Sequence, residues 1–599
     1  MFLRFNRRRK DGKEHRYWSI VESRRCAGGK VVQRPVLYLG EINDSQRAAW
    51  CRVVEAFDEQ AQQTRQLALF PADRDMPSHA QGHGVRVRLD AMTLHAPRQW
   101  GACWLACHLY EQLGLDEFWS TRLPPSREGT SWRQIAQTLV CYRLIDPGSE
   151  WRLHRQWFEQ SAMADLLGAD LLGADYGLVE KNALYRCLDK LLAHKEALFG
   201  HLRQRWQDLF GASFEVLLYD LTSTYFEAAP PQDENDKRRY GYSRDKRGDC
   251  VQVVIALVVT PDGFPLAYET MPGNTADNTT LRGFLARIEA QYGKAQRIWV
   301  MDRGIPTEAV LAEMRAADPP VHYLVGTPKG RLAKLEQALL EKPWQNVRDG
   351  VDVKLLAEPQ ELYVLARSER RVHKERAMRR RQLKRLWKRL AELSRMSLRR
   401  EALLMKLGGA RAKAPAAWRL LDIDIAPQSA SFTYALNRDK LRQARRREGR
   451  YLLRSNLSDA PPDQLWKFYI QLVEIEAAFK SLKDDLQLRP IFHQLEHRIE
   501  AHIFVAFMAY CLHVTLRAKL RLLAPGLTPR AVLDKLADIK MLDVHFPTTD
   551  GRTLILTRHT EPSPDHKILL DQLNLQLPPQ PPPRITAARQ LLAAPAPAL

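Results

Sequence analysis

Three observations predict a mixed α/β protein built from several folded units. Short apolar runs bounded by turns, at 214–220 and 251–259, have the length and β-branched content of central strands, and strand and helix candidates alternate after them to Val325. Between about Trp100 and Phe210 apolar residues recur at three and four, as in Trp132, Ile135, Ala136, Leu139 and Val140, which is the spacing of a helix face. At 599 residues, moreover, the chain far exceeds the roughly 250–300 residues at which a single core stops growing.

In chain order, residues 1–50 predict a small basic β-rich unit. Phe2 to Phe5, Tyr17 to Val21 and Val31 to Leu39 alternate as strands do, separated by the turn sequences Lys10-Asp11-Gly12 and Gly28-Gly29. Residues 95–210 predict helices, a pattern open both to a helix-turn-helix DNA binder and to a plain helical core. Here Cys103 and Cys107 share a helix face beside His108, but no second ligand pair accompanies them, so a buried face is expected rather than zinc. The repeat Asp165-Leu-Leu-Gly-Ala169, Asp170-Leu-Leu-Gly-Ala174 has a period of neither helix nor strand and predicts a loop expansion.

Residues 211–330 predict three strands, a helix from Thr279 to Tyr292, a strand at 297–301, a helix from Pro306 to Arg315 and a strand at 321–325. Residues 331–450 break this rhythm and predict a separate unit with strands near Leu362 to Ala366 and Ser431 to Leu436. From Leu365 to Arg400 there are 15 Lys/Arg against 3 Asp/Glu, and Leu383, Leu386, Leu390 and Leu393 form one stripe, so an amphipathic helix with a cationic outer face is expected. That face serves DNA contact or simple solvation. Residues 451–525 return to long helices, and residues 526–599 end in a tail whose Pro578-Pro-Gln-Pro-Pro-Pro583 run predicts disorder.

The formal net charge is +21 and the pI about 9.6, which favours a polyanionic partner, nucleic acid first. The N-terminal residues contain no signal-peptide core, and no stretch of about 20 uncharged apolar residues occurs, so neither secretion nor membrane insertion is expected. Eight cysteines without framework spacing suit reduced thiols in a cytoplasm.

Asp220 and Asp302 each follow an apolar strand candidate; if those strands are neighbours, their carboxylates stand side by side, as hard divalent cations require. A third acid is expected from a helix begun by Pro461-Pro462. Tyr469, Glu476 and Lys483 are spaced seven apart and so fall on one face of a continuous helix, whereas Glu474 is turned about 200° from Glu476. Taken singly, an aspartate after a strand is more often a loop cap than a ligand.

Together these residues resemble the DDE transposases of bacterial insertion sequences, in the branch with tyrosine, arginine, glutamate and lysine on the third-acid helix. The matching segments are Tyr-Asp220-Leu-Thr-Ser-Thr-Tyr, Gly273-Asn-Thr-Ala-Asp277, Met-Asp302-Arg-Gly-Ile and Tyr469, Glu476 and Lys483, with Tyr17-Trp-Ser-Ile-Val-Glu-Ser23 and Leu39-Gly-Glu-Ile-Asn43 near the start. One position departs: Leu472 stands where the signature has arginine, and Lys480 is the nearest substitute. The resemblance implies a ribonuclease H-like core interrupted by an insertion domain between the second and third acids. It also implies two Mg²⁺ or Mn²⁺ ions held by Asp220, Asp302 and Glu476, and end DNA gripped by Tyr469 and Lys483, with Lys480 as the substitute contact. Double-stranded DNA would be the partner, a homodimer on paired ends the assembly, and the bacterial nucleoid in the cytoplasm the place. Arg489, His493, Arg498 and His502 on the downstream segments serve either DNA phosphate contact or surface solvation. The alternatives are a metal-dependent nuclease and an inactive, transposase-derived DNA-binding protein.

Overall fold

The computed structural model describes residues 2–25, 31–51, 53–58, 63–68, 85, 87–127, 130–167, 178–233, 235–293, 297–327, 335, 338–339, 342–427, 429–458, 460–489 and 491–586. Its strands begin with β1 (Phe2–Lys10), β2 (Lys13–Arg25), β3 (Val31–Glu41), β4 (Val53–Asp58), β5 (Gln63–Ala68) and β6 (Thr93–Gln99). There follow β7 (Val216–Phe226), β8 (Val251–Val259), β9 (Pro265–Pro272), β10 (Ile298–Met301), β11 (His322–Gly326), β12 (Gln345–Arg348), β13 (Val351–Glu358) and β14 (Glu361–Ser368). The last are β15 (Leu421–Ile425), β16 (Phe432–Leu436), β17 (Arg450–Ser455), β18 (Lys540–Pro547), β19 (Thr553–His559) and β20 (Arg584–Ile585). The chain divides into two compact units, residues 1–101 with 537–599, and residues 102–536.

In the first unit, β1, β2 and β3 form an antiparallel sheet. Asp11 and Gly12, with φ of 51° and 75°, make the two-residue left-handed turn that suits the twist of a hairpin. Ile20 and Leu39 are its buried core, covered by Leu3, Trp18, Leu37 and Ile42. A second sheet joins the two ends of the chain in the order β20-β19-β18-β6. The proline-rich run expected to be disordered is instead held along β19, where Arg558 donates to the Pro581 carbonyl at 2.6 Å and Gln580 to the His559 carbonyl at 2.9 Å. Proline lacks an N–H, but its carbonyl and its neighbours' side chains still bond an adjacent strand. Residues 587–599 lie outside the described residues, as does most of the Asp165–Ala174 repeat.

In the second unit, helices Gly101–Gln112, Trp132–Ile145, Leu178–Leu191 and Lys195–Phe210 precede the sheet. Cys103 and Cys107 are buried there. The Trp132–Ile145 helix is buried from Ile135 onward, so it offers no open face to a DNA groove. Its neighbour is the Glu496–Leu523 helix, long and apolar enough for a membrane span, yet with its most apolar 18-residue window 94% buried inside the protein. Interior packing accounts for that composition.

The main sheet has nine strands in the order β12-β13-β14-β17-β11-β10-β7-β8-β9. β10 is parallel to both β7 and β11, and the remaining neighbouring pairs of the sheet are antiparallel. Residues 331–450 do not form one separate body. β12, β13 and β14 extend this sheet, because β14 pairs with β17 from Leu362–Ser455 to Arg367–Arg450. Buried Arg454 secures the junction, donating to Glu308 at 2.7 Å and to Glu361 at 2.6 Å. The part that leaves the sheet begins with the Glu369–Ser394 helix, whose Leu386, Leu390 and Leu393 pack on Leu403, Leu407, Leu421 and Phe432.

Candidate active site

The site begins with a mismatch in strand length. β10 pairs in register with β7 through Met301 and Tyr219 and then stops, whereas β7 continues to Phe226 along β8. Asp220 therefore lies inside β7, not at its end as the sequence suggested, and the early end of β10 uncovers it. The β-branched Thr222 and Thr224 suit that continuation. Asp302 is the next residue after Met301, just beyond the end of β10, so it follows the last paired position beside the one that Asp220 follows on β7, a strand spacing of roughly 4.8 Å away. Its Oδ1 accepts from the Arg303 N–H at 2.7 Å.

Glu476 comes from the facing helical segment, which is not one continuous helix. Pro462–Ile470 is followed by a break at Gln471, then Leu472–Lys480, then a wider π-turn at Ser481–Asp485. The break and the π-turn change the angular phase, so spacing of seven no longer sets all three side chains on one stripe. Tyr469 and Glu476 nevertheless line, with Asp220 and Asp302, a single cavity of about 520 Å³. Lys483 is placed elsewhere. Glu474 faces away, receiving Arg521 at 2.9 Å and Arg517 at 3.4 Å.

The Tyr469 hydroxyl sits close to Gly326, at the end of β11, where an added Cβ would lie 2.9 Å from it and 3.4 Å from Asp302 Oδ1. Burial, with the charges of Asp302 and Glu476, raises the Tyr469 pKa and keeps the phenol protonated. Asp220 is pushed up to about 7, chiefly by burial and further by Asp302 and Asp277, against the Leu221 N–H and Arg244. Carboxylates are the hard oxygen donors that a divalent cation takes, and three of them, Asp220, Asp302 and Glu476, line this cavity, although among the described residues the acids and histidines whose ligand atoms lie within 4.8 Å of one another are Glu150, His493 and His502.

Residues from β17, from the Glu369–Ser394 helix and from the Pro462–Ile470 helix complete the wall. Tyr451 stacks on Tyr469 with centroids 5.8 Å apart and meets Trp466 in a tilted contact at 5.1 Å, and Arg371 lies 5.0 Å over the Tyr451 ring. Arg303 and Arg450 also line the cavity. Stacked aromatics beside guanidinium groups suit a nucleic-acid strand. These side chains were not singled out from the sequence, because only the return of β17 to the sheet brings residues 450 and 451 to the acids.

The other nominated residues divide sharply. Lys480 is exposed at the end of its helix. Lys483 donates to both oxygens of Asp245, at 3.0 and 3.2 Å, and Arg489 also pairs with Asp245. His493 and the buried His502 face Glu150 at 3.3 and 3.6 Å, with the Arg143 guanidinium 3.4 Å from His502, and Arg498 binds Asp189 at 2.8 Å. Those three are therefore engaged with the preceding helices rather than presented to a phosphate.

The Transposase DDE domain family matches residues 213–512, half of the chain, and the acids and their sheet fall within that stretch. The chain belongs to the DDE transposases. The IS1634 family transposase N-terminal domain matches residues 3–68, which makes this an insertion-sequence transposase. Among solved structures the transposase is similar to a piggyBac transposase synaptic complex with hairpin DNA, at 9% identity, covering 74% of this chain and 82% of that one, with a TM-score of 0.35. Comparison with curated proteins gives no match.

Proposed function

We propose that this transposase cleaves the ends of its insertion sequence and joins them to target DNA, using Asp220, Asp302 and Glu476 as its metal-binding acids within a ribonuclease H-like core. The observation that supports the reading is that these three residues line one cavity, where β10 ends beside β7. The two aspartates would hold the ions from the sheet and Glu476 from the opposite wall. Two Mg²⁺ or Mn²⁺ ions, when bound, supply activation of the attacking oxygen and stabilisation of the leaving one.

The chain's own groups set the rest of the geometry. The protonated Tyr469 hydroxyl, beside Asp302, is a donor available to a phosphate oxygen. Arg371 and Arg450 supply positive charge in the cavity wall, Lys480 is exposed one turn beyond Glu476, and the Tyr451 and Trp466 rings exclude water from one side of the cavity. Lys480 stands in for the arginine that Leu472 replaces. Water attacks the phosphodiester at the element's end, and the freed 3′-hydroxyl then attacks target DNA. Double-stranded DNA at the bacterial nucleoid is the substrate, and a homodimer on paired ends the working assembly.

The test is a cleavage and strand-transfer assay on end-containing duplex with Mg²⁺, comparing wild type with Asp220→Asn and Asp302→Asn. Each variant should lose cleavage by orders of magnitude and keep DNA binding at fixed salt. Cleavage that survives either substitution overturns the assignment, and cleavage without joining identifies a nuclease.

A further inference from the structure

The connection from β7 to β8, residues 227–250, carries a dense run of charge beside the acids, and the cleavage reading above leaves it without a role. Its course is tightly determined. Arg239 and Gln252 exchange backbone hydrogen bonds at 3.0 and 2.9 Å, and the Gln252 side-chain amide donates to the carbonyls of Tyr242 at 3.0 Å and Gly273 at 2.9 Å. A Cβ on Gly241 would lie 2.0 Å from the Gly273 carbonyl oxygen, and one on Gly273 would lie 2.0 Å from that of Gln252. Only glycine permits this approach at either position.

Two neighbours on the pinned segment face opposite duties. Arg244 bonds back to β7 through its N–H to Ser223 Oγ at 3.4 Å, and its guanidinium reaches Asp277, beyond β9, at 2.5 Å. Asp245 reaches the π-turn after the Glu476 helix and the segment that follows it, holding Lys483 of the one and Arg489 of the other with its own side chain only 11% exposed. Lys483 is similarly enclosed, at 10%. The lysine has three N–H donors and Asp245 accepts from at most two, while Arg489 has five and gives others to Asp484 at 3.4 Å. Donors therefore remain on both cations for a further oxygen ligand.

We propose that Asp245 is a positioning residue for the transposase reaction. Anchored by the glycine-pinned segment, it aims Lys483 and Arg489 together at one DNA phosphate flanking the scissile bond. This rests on the cleavage reading of the site. A carboxylate fixed behind two cations lowers the entropy of forming their bonds to the phosphate, in the way an outer carboxylate orients a ligand. Lys483 thus grips DNA only through Asp245.

The experiment is a cycle between protein and substrate with the full chain, single-turnover cleavage in Mg²⁺ and affinity at fixed salt in Ca²⁺. Substrates carry a neutral methylphosphonate at each of the phosphates flanking the scissile bond in turn. Asp245→Asn should cut about 10²-fold more slowly, with overall affinity unchanged within about threefold because one negative charge near DNA is also lost. At one position the methylphosphonate should slow wild type and weaken its binding, yet cost Asp245→Asn nothing further in either readout. Asp245→Glu should recover part of the rate.

Should Asp245→Asn fail to fold, judged by its melting transition, Lys483→Gln must show the same collapse of the cycle. Losses that multiply at every position, or a variant that cuts as fast as wild type, overturn the proposal while leaving the three acids in place. A variant that binds more tightly and cuts faster also overturns it, by making Asp245 a competitor of the phosphate. Wild type that makes no cut removes the cleavage reading instead, and the affinity cycle alone then decides the role of Asp245.

Discussion

At the residue scale the sharpest contrast is between two glutamates in one helical turn. Glu476 lines the cavity with Asp220 and Asp302, whereas Glu474 points to Arg517 and Arg521. Glu476→Gln should abolish Mg²⁺-dependent cleavage by orders of magnitude with DNA binding intact. Glu474→Gln should cut normally and lose about 1 kcal/mol of stability, since its ion pairs are partly screened. A cleavage assay beside thermal melting checks both, and the reverse outcome would put the helix register in error. Gly326 offers a second test. An alanine there would place Cβ 2.9 Å from the Tyr469 hydroxyl, so Gly326→Ala should lower single-turnover cleavage about tenfold without weakening DNA binding. Normal cleavage by this variant would show that Tyr469 has no positional role.

At the element scale, the Glu369–Ser394 helix keeps its leucine stripe inward as its periodicity implied. Its cationic face is not uniform. Arg379 is tied to Glu448, which is buried, while Arg380 and Arg381 are exposed. Reversing Arg379 would therefore break a buried pair and confuse stability with binding. Arg380→Glu with Arg381→Glu should weaken binding to all DNA sequences and reduce the salt dependence by about one phosphate contact per residue. Affinities measured from low to moderate salt check this, and unchanged slopes would assign the face to solvation. The amphipathic period was legible because a stripe of leucines is a local property. The extension of the sheet by β12, β13 and β14 was not, because strand pairing between residues 362–367 and 450–455 depends on a return of the chain after some 80 residues.

At the scale of the whole molecule, burial sets an acid limit. His502 and His513, both on the Glu496–Leu523 helix, have pKa values lowered to about 4, first by burial and then by Arg143 and Arg517 respectively. The unfolded chain binds these protons near pH 6.5 and the folded chain only near 4, so stability falls as pH drops through that window. Each histidine would contribute up to about 3 kcal/mol of acid destabilisation. Melting curves between pH 7 and 4 should show a steady loss, smaller in His513→Gln, and a flat profile in the wild type would contradict the buried neutral state.

The sequence by itself determined the mixed α/β class, many of the helical and strand segments and the orientation of Glu474, and it nominated the three acids, since alternation, periodicity and local motifs are properties of neighbours along the chain. It also carried the acids' order, which is enough to nominate them as a set. Only the tertiary structure decided that Asp220 lies within a strand uncovered by a shorter neighbour, that Tyr451 and Arg371 join the cavity wall, and that Lys483 and Arg489 are held by Asp245. The joining of β6 to β18, β19 and β20 across more than 400 residues belongs to the same group. Each of these depends on which distant segments share a sheet or exchange charge, and such pairings are chosen by the free energy of the whole packed chain, which no local window contains.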